Sequence, residues 1–201
     1  MSEYGIIYLE IKAQHSFFAF ERSVPRGIFL IMKNLKIGDK VIYGAQGIMT
    51  LVDERYELFG DEQKLYYVLS GEETASEALT FVPKDNERLF SLIRPLLPPD
   101  ALRNALSRFD TANTPDWIES SRARQEYFRK LLEGGERRDI LGIIYLIREN
   151  GKRRMAEGKK NFISDENILK RAETILSSEI SLVLGVSTEE AMEIIEKAIY
   201  S

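Results

Sequence analysis

The stretch Lys40-Val-Ile-Tyr43, Gly44-Ala-Gln-Gly47, Ile48-Met-Thr-Leu-Val52 decides the first half of the fold. Two runs rich in β-branched and large apolar residues flank a short turn bounded by glycines, the pattern of paired strands. The same grammar continues downstream. Phe59-Gly60-Asp61-Glu62 reads as a turn and Leu65-Tyr-Tyr-Val-Leu69 as a third strand. Ala78-Leu-Thr-Phe-Val82, stopped by Pro83, is a fourth strand, and Phe90-Ser-Leu-Ile93 a short fifth. Short strands this closely spaced predict a small β-barrel over residues 32–95.

Past Pro98-Pro99 the pattern turns helical, which predicts an all-α domain over residues 96–201 and an α+β, two-domain chain. Asp100–Phe109 is one short helix, and Thr111–Pro115 a loop in which Thr114, or Asp116 beyond it, can cap the next helix. That helix is expected from about Trp117 to Leu132, closed by Gly134-Gly135. Arg138–Glu149 carries Ile140, Leu141, Ile144, Tyr145 and Ile147 at helical spacing. Ser164 starts a long helix closed near Gly185, and Ser187-Thr-Glu-Glu190 forms a capping box for a last helix to Tyr200.

Residues 1–31 match this plan poorly. They hold a candidate strand, Gly5–Ile11, and an aromatic run, Phe17-Phe18-Ala19-Phe20, without a clean period. Met32 reads as a natural start, and Arg26-Gly27 is what a purine-rich ribosome-binding sequence would translate to. The expectation is an over-called N-terminus outside the working fold; a genuine extra hairpin is the alternative.

Composition removes whole classes of chemistry. The 201 residues include no cysteine and one histidine, His15, which disfavours thiolate metal sites, disulfide scaffolds and Ser-His-Asp catalysis. No apolar run approaches the roughly 20 residues that span a bilayer; Gly27–Met32 is the best and far too short. A protein without enzymatic activity, cofactor or membrane association, working in the cytoplasm, is expected. Its net charge is −4, but between Trp117 and Lys160 twelve basic residues face seven acids. A basic centre in an acidic chain is either an anion-binding surface or a solvated helix face.

Other suggestive strings have duller explanations. Gly134-Gly135 lacks the lysine of a phosphate loop and follows a helix, so it is a C-cap. The acid pairs Asp53/Glu54 and Glu72/Glu73 are expected to be exposed loop charge. Of Tyr66-Tyr67, one ring is expected to face the core and the other the surface. The lone tryptophan is more informative. Trp117 follows a proline-containing loop and precedes Arg122, Arg124, Arg129 and Lys130. A ring at a helix start beside guanidinium groups suits a wedge and clamp on DNA: cations neutralise phosphates while the ring enters unstacked bases. An aromatic packing the helix end on the core is the competing reading.

Taken in order, these pieces resemble the CarD/CdnL family of bacterial transcription regulators. The match runs through Leu35-Lys-Ile-Gly-Asp-Lys-Val-Ile-Tyr43, Gly47, Tyr66-Tyr-Val-Leu69 and Val82-Pro83. It continues in Pro115-Asp-Trp117, Lys130-Leu131, Gly134, the Ile140–Ile147 helix, and Leu169–Leu176 with Glu179. The N-terminal module is also similar to the polymerase-interacting domain of the transcription-repair coupling factor. The resemblance spans residues 32–201. It implies a Tudor-like (SH3-like) barrel that docks on the RNA polymerase β subunit by pairing a strand edge. It further implies a helical domain on promoter DNA at the upstream edge of the bubble, with Trp117 wedged in the minor groove to stabilise the open complex. A monomer is expected.

The chain departs from the family in places. Gly44-Ala45-Gln46-Gly47 stands where the family has Pro-x-His-Gly, and Glu57 and Phe81 occupy positions often basic. Arg55 and Lys64 are therefore the substitute candidates for polymerase contact, with Tyr66 and Phe81 beside them. The helix after Trp117 is two or three residues longer than expected, which shifts the phase of its arginines. A protein–protein adaptor without DNA binding is the alternative function.

Overall fold

β1 (Lys40–Tyr43) forms where the sequence placed it, between the positive-φ glycines Gly38 and Gly44. The structure is a computed structural model that describes residues 35–59, 62–71 and 79–200. Readings that rest on residues 1–31, on Glu72/Glu73 and on Gly60-Asp61 lie outside the described residues. β2 (Ile48–Phe59), β3 (Glu62–Gly71), β4 (Leu79–Pro83) and β5 (Ile93–Pro95) complete one antiparallel sheet in the order β4-β3-β2-β1-β5. Thus β1–β4 meander and β5 returns to β1, pairing Tyr43 with Ile93 and Val41 with Pro95.

Two strand readings need correction. β2 runs past Val52 to Phe59, with a register shift between Leu51 and Asp53. Its far half lost the apolar alternation because Glu54, Arg55, Tyr56 and Leu58 are all exposed, so periodicity had nothing to report. The fifth strand is not Phe90–Ile93. Asn86 accepts a hydrogen bond from the Leu89 amide at 3.1 Å, which caps a single helical turn, α1 (Glu87–Phe90), and delays the strand to Ile93. Both Tyr66 and Tyr67 are buried, against the expected alternation. Tyr66 meets Phe81 edge-on at 6.2 Å, while Tyr67 stacks on Phe90 at 6.0 Å beneath the Lys84 ammonium.

The helical half comprises α2 (Pro99–Ser107), α3 (Ser121–Gly134), α4 (Arg137–Ala156), α5 (Ile163–Leu184) and α6 (Thr188–Tyr200). α4 is the hub, packed against α2, α3, α5 and α6. Leu141, Ile143 and Ile144 are consequently all buried, more than one stripe of a surface helix would be. It runs beyond the expected end at Glu149 through Gly151, whose missing side chain leaves room for the Asn161 amide. α5 presents Ala172, Ile175, Leu176 and Ile180, and α6 presents Ala191, Ile195 and Ile199, to the same core. The capping box is in place: Ser187 Oγ accepts from the Glu190 amide at 3.1 Å, and Glu190 accepts from the Ser187 amide at 2.8 Å.

Sheet and helices belong to one compact unit, Ile37–Ser201. The turn after β1 docks on the helices: Arg171 Nε donates to the Ala45 carbonyl at 2.7 Å. On the other side Arg94 of β5 donates to the Gly135 carbonyl, and Arg137 donates to the Pro95 carbonyl at 3.2 Å. Arg137 also makes a two-pronged pair with Glu179 at 2.6 and 3.1 Å, all buried. Burial pulls the Arg94 guanidinium down to about 10, with Arg137 adding repulsion. Gly135 is the left-handed C-cap of α3 at φ 65°, and a Cβ there would run into the Arg94 guanidinium. Gly135→Ala is therefore expected to lose about 1–2 kcal/mol from the left-handed backbone alone, and more from displacing Arg94. Urea unfolding measures it.

Candidate nucleic-acid interface

Trp117 does not open a helix. Residues 115–120 have no regular structure, and α3 begins at Ser121 with Ser120, not Thr114 or Asp116, as its cap. Ser120 Oγ accepts from the Ala123 amide. The ring sits on the loop ahead of the helix, half-buried, with its centroid 6.4 Å from that of the buried Phe128. One side of the indole is thus core, and the rest meets solvent.

Arg124 fixes that loop. Its side chain is 0% exposed, so the expected phosphate contact is corrected: it cannot reach DNA without the site unfolding. On α3 it falls in line with Phe128 and Leu132 at successive four-residue steps, on the face turned to the core. Its guanidinium donates to both carboxylate oxygens of Asp165, at 2.8 and 3.2 Å, and Asp165 lies buried in the first turn of α5. The remaining nitrogen donates to the Ile118 carbonyl at 2.7 Å and the Glu119 carbonyl at 3.2 Å. The same plane lies under Trp117, 4.4 Å from the ring centroid. Arg124 is therefore a positioning residue, tying the tryptophan loop to α3 and α5 together.

The remaining predicted cations on α3 are exposed. Arg129 pairs with Glu133 at 2.6 Å and Lys130 with Glu126 at 3.0 Å, both one turn away on the same helix. Such exposed pairs are weak and easily exchanged for a phosphate. Arg122 has no ion pair among the described residues. The basic excess counted along the chain is smaller at the surface, because Arg137 is spent on Glu179 and Arg148 on Glu173 and Glu196.

What sequence reasoning missed is the corner between α4 and α5. Arg153, Lys159 and Lys160 are exposed there, and Arg153 reaches Glu119 of the tryptophan loop at 3.8 Å. Phe162 lies 5.3 Å from the Arg124 guanidinium on one side and 4.0 Å from that of Arg154 on the other. Indole, guanidinium, phenyl and guanidinium thus form a continuous stack beginning at Trp117. Met155 and Ile163 beside it are 71% and 76% exposed. The usable signal was Lys159-Lys160-Asn161-Phe162-Ile163, a basic pair next to unburied apolar residues.

The four sheet candidates share one face. Arg55 stands opposite Tyr66 across β2 and β3, Phe81 opposite Val68 on β4, and Lys64 is two residues from Tyr66. Arg55 lies 5.4 Å over the Phe81 ring, but its guanidinium is also held by Glu57 at 2.7 Å and Asp53 at 3.1 Å. Those bonds, Glu57 first, raise its pKa further. Lys64 is shared between Glu62 and Asp85. The face is a mixed-charge surface with an aromatic centre rather than a basic one.

No protein-family model matches the chain, and no curated protein matches it. Among the described residues no helix is long and apolar enough to cross a membrane, and no cluster of three or more acids or histidines could hold a metal ion.

Proposed function

We propose that this protein is a regulator of transcription initiation of the CarD/CdnL type, which holds RNA polymerase through its sheet and promoter DNA through its helices. The observation that carries the reading is Trp117: a half-buried ring, clamped from behind by a buried arginine, on a loop that Arg153 reaches from a corner also carrying Lys159 and Lys160. A wedge must be both presented and braced, and the Arg124–Asp165 pair braces this one. Binding that favours the melted state shifts the open-complex population by its differential affinity.

The sheet supports the polymerase half. A four-strand meander with a long, bulged second strand and a fifth strand returning to the first is the order of SH3-like and Tudor-like barrels. β4 stands at one end of the described strand order, the position from which a sheet takes up a strand of a partner. Phe81 lies on β4 itself, Lys64 on the adjoining β3 and Arg55 on β2 beyond it, and the buried Tyr66 meets Phe81 edge-on on the same face.

Salt tests the DNA half. With about four phosphate contacts, binding of the whole protein to a forked promoter fragment falls roughly a hundredfold over a fourfold rise in salt. A gel shift or anisotropy titration reads the slope. A flat or absent response favours the second reading, a protein–protein adaptor, which the net charge of −4 and the acidic α6 surface of Glu189, Glu190, Glu193 and Glu196 support.

A further inference from the structure

Behind the tryptophan loop lies a cavity of about 130 Å³ that the DNA reading does not use. Phe109, Tyr127, Leu131 and Ile143 line it on the apolar side, and the loop of Asn113, Thr114 and Pro115 forms another wall. Gly142 leaves one helical position empty: a Cβ there would meet only Thr114 at 3.8 Å and Phe109 at 4.0 Å. Into this lining α4 places Asp139, half-buried and without a hydrogen bond or ion pair among the described residues. Burial raises the Asp139 pKa, and Glu136 raises it further. The neighbouring Arg138 opposes this shift without forming an ion pair, and its guanidinium donates to the Asn113 carbonyl at 3.5 Å. A carboxylate without an ion pair in a cavity walled on one side by apolar side chains suits a cation with an apolar body.

We propose that this cavity binds a small organic cation, a primary alkylammonium whose ammonium group pairs with Asp139 while a chain of about five carbons fills the apolar part. The size follows from volume, because a cavity near this one holds a ligand of about six carbon atoms. Arg138, itself part of the lining, disfavours a longer polycation, and the lining offers no second carboxylate for a distal amine. The inference does not depend on the DNA reading and is measured with no nucleic acid present.

The probe is n-pentylammonium, with n-pentanol as its uncharged counterpart, each titrated into the full chain. Ligand-observed NMR reads binding, and the fluorescence of Trp117, the only tryptophan, reports from the adjoining loop. Saturable binding of pentylammonium is expected with a Kd on the order of 1 mM. Asp139→Asn, shown to be folded by circular dichroism, weakens it at least tenfold. Gly142→Ala, which suits a helix interior and takes up a methyl's worth of space, weakens it severalfold. The proposal is overturned if pentanol binds as tightly as pentylammonium, if Asp139→Asn keeps the affinity, or if binding does not saturate. The first outcome would make the cavity a plain apolar void.

Discussion

Asp165→Ala lowers the stability of the chain by about 3–5 kcal/mol, the cost of leaving a buried charge without its partner. Arg124 is 0% exposed and keeps only the Ile118 and Glu119 carbonyls once the carboxylate is gone. For a protein of this size the loss is a fall in Tm of roughly 10 °C, which differential scanning calorimetry measures. A second variant separates bracing from stability. Replacing the pair by apolar residues, Arg124→Met with Asp165→Leu, removes both desolvation costs and restores most of the stability. It does not restore the grip on the loop carbonyls or the guanidinium under the indole. The double variant should therefore melt near the parent chain yet bind forked DNA poorly. Parental DNA binding by that variant would show that Trp117 needs no brace.

Physical reasons separate what could be read from the sequence from what could not. β1, the long helix ending at Gly185, the Gly135 C-cap and the Ser187–Glu190 capping box were legible, because each is written by neighbours in the chain. The α+β order, sheet first and helices after, was legible from the change in period at Pro98-Pro99. Closure of the sheet into a barrel has no local signature, and the described strand order gives each strand's neighbours without showing a closed barrel. The start of α3 was misplaced because Thr114 and Asp116 are as good caps in isolation as Ser120. Arg124 was misread for a different reason. Its partner Asp165 is 41 residues away, as Glu179 is 42 from Arg137, and no window along the chain contains both. A residue-by-residue signal did exist: Arg124 keeps the four-residue spacing of Phe128 and Leu132, so a cation at that place required a buried acid somewhere.

Trp117→Ala should weaken binding to a forked promoter fragment about thirtyfold, from about 2 kcal/mol of ring–base contact, while leaving polymerase binding unchanged. The substitution also strips the indole from Phe128 and Arg124, so some stability goes with it. That loss has its own control. Phe128→Ala removes a fully buried ring from the same cluster, at about 3–5 kcal/mol, without touching the exposed edge of Trp117. If the tryptophan matters as a wedge, Trp117→Ala loses DNA affinity out of proportion to stability, and Phe128→Ala does the reverse. Trp117→Phe, which keeps an aromatic surface over Arg124, should retain part of the affinity. Polymerase capture by the same variants supplies the remaining comparison, since β4 and the Arg55–Phe81 face do not involve the Trp117 loop. Equal losses of DNA and polymerase binding in Trp117→Ala would make the ring a core residue and remove the wedge from the proposal.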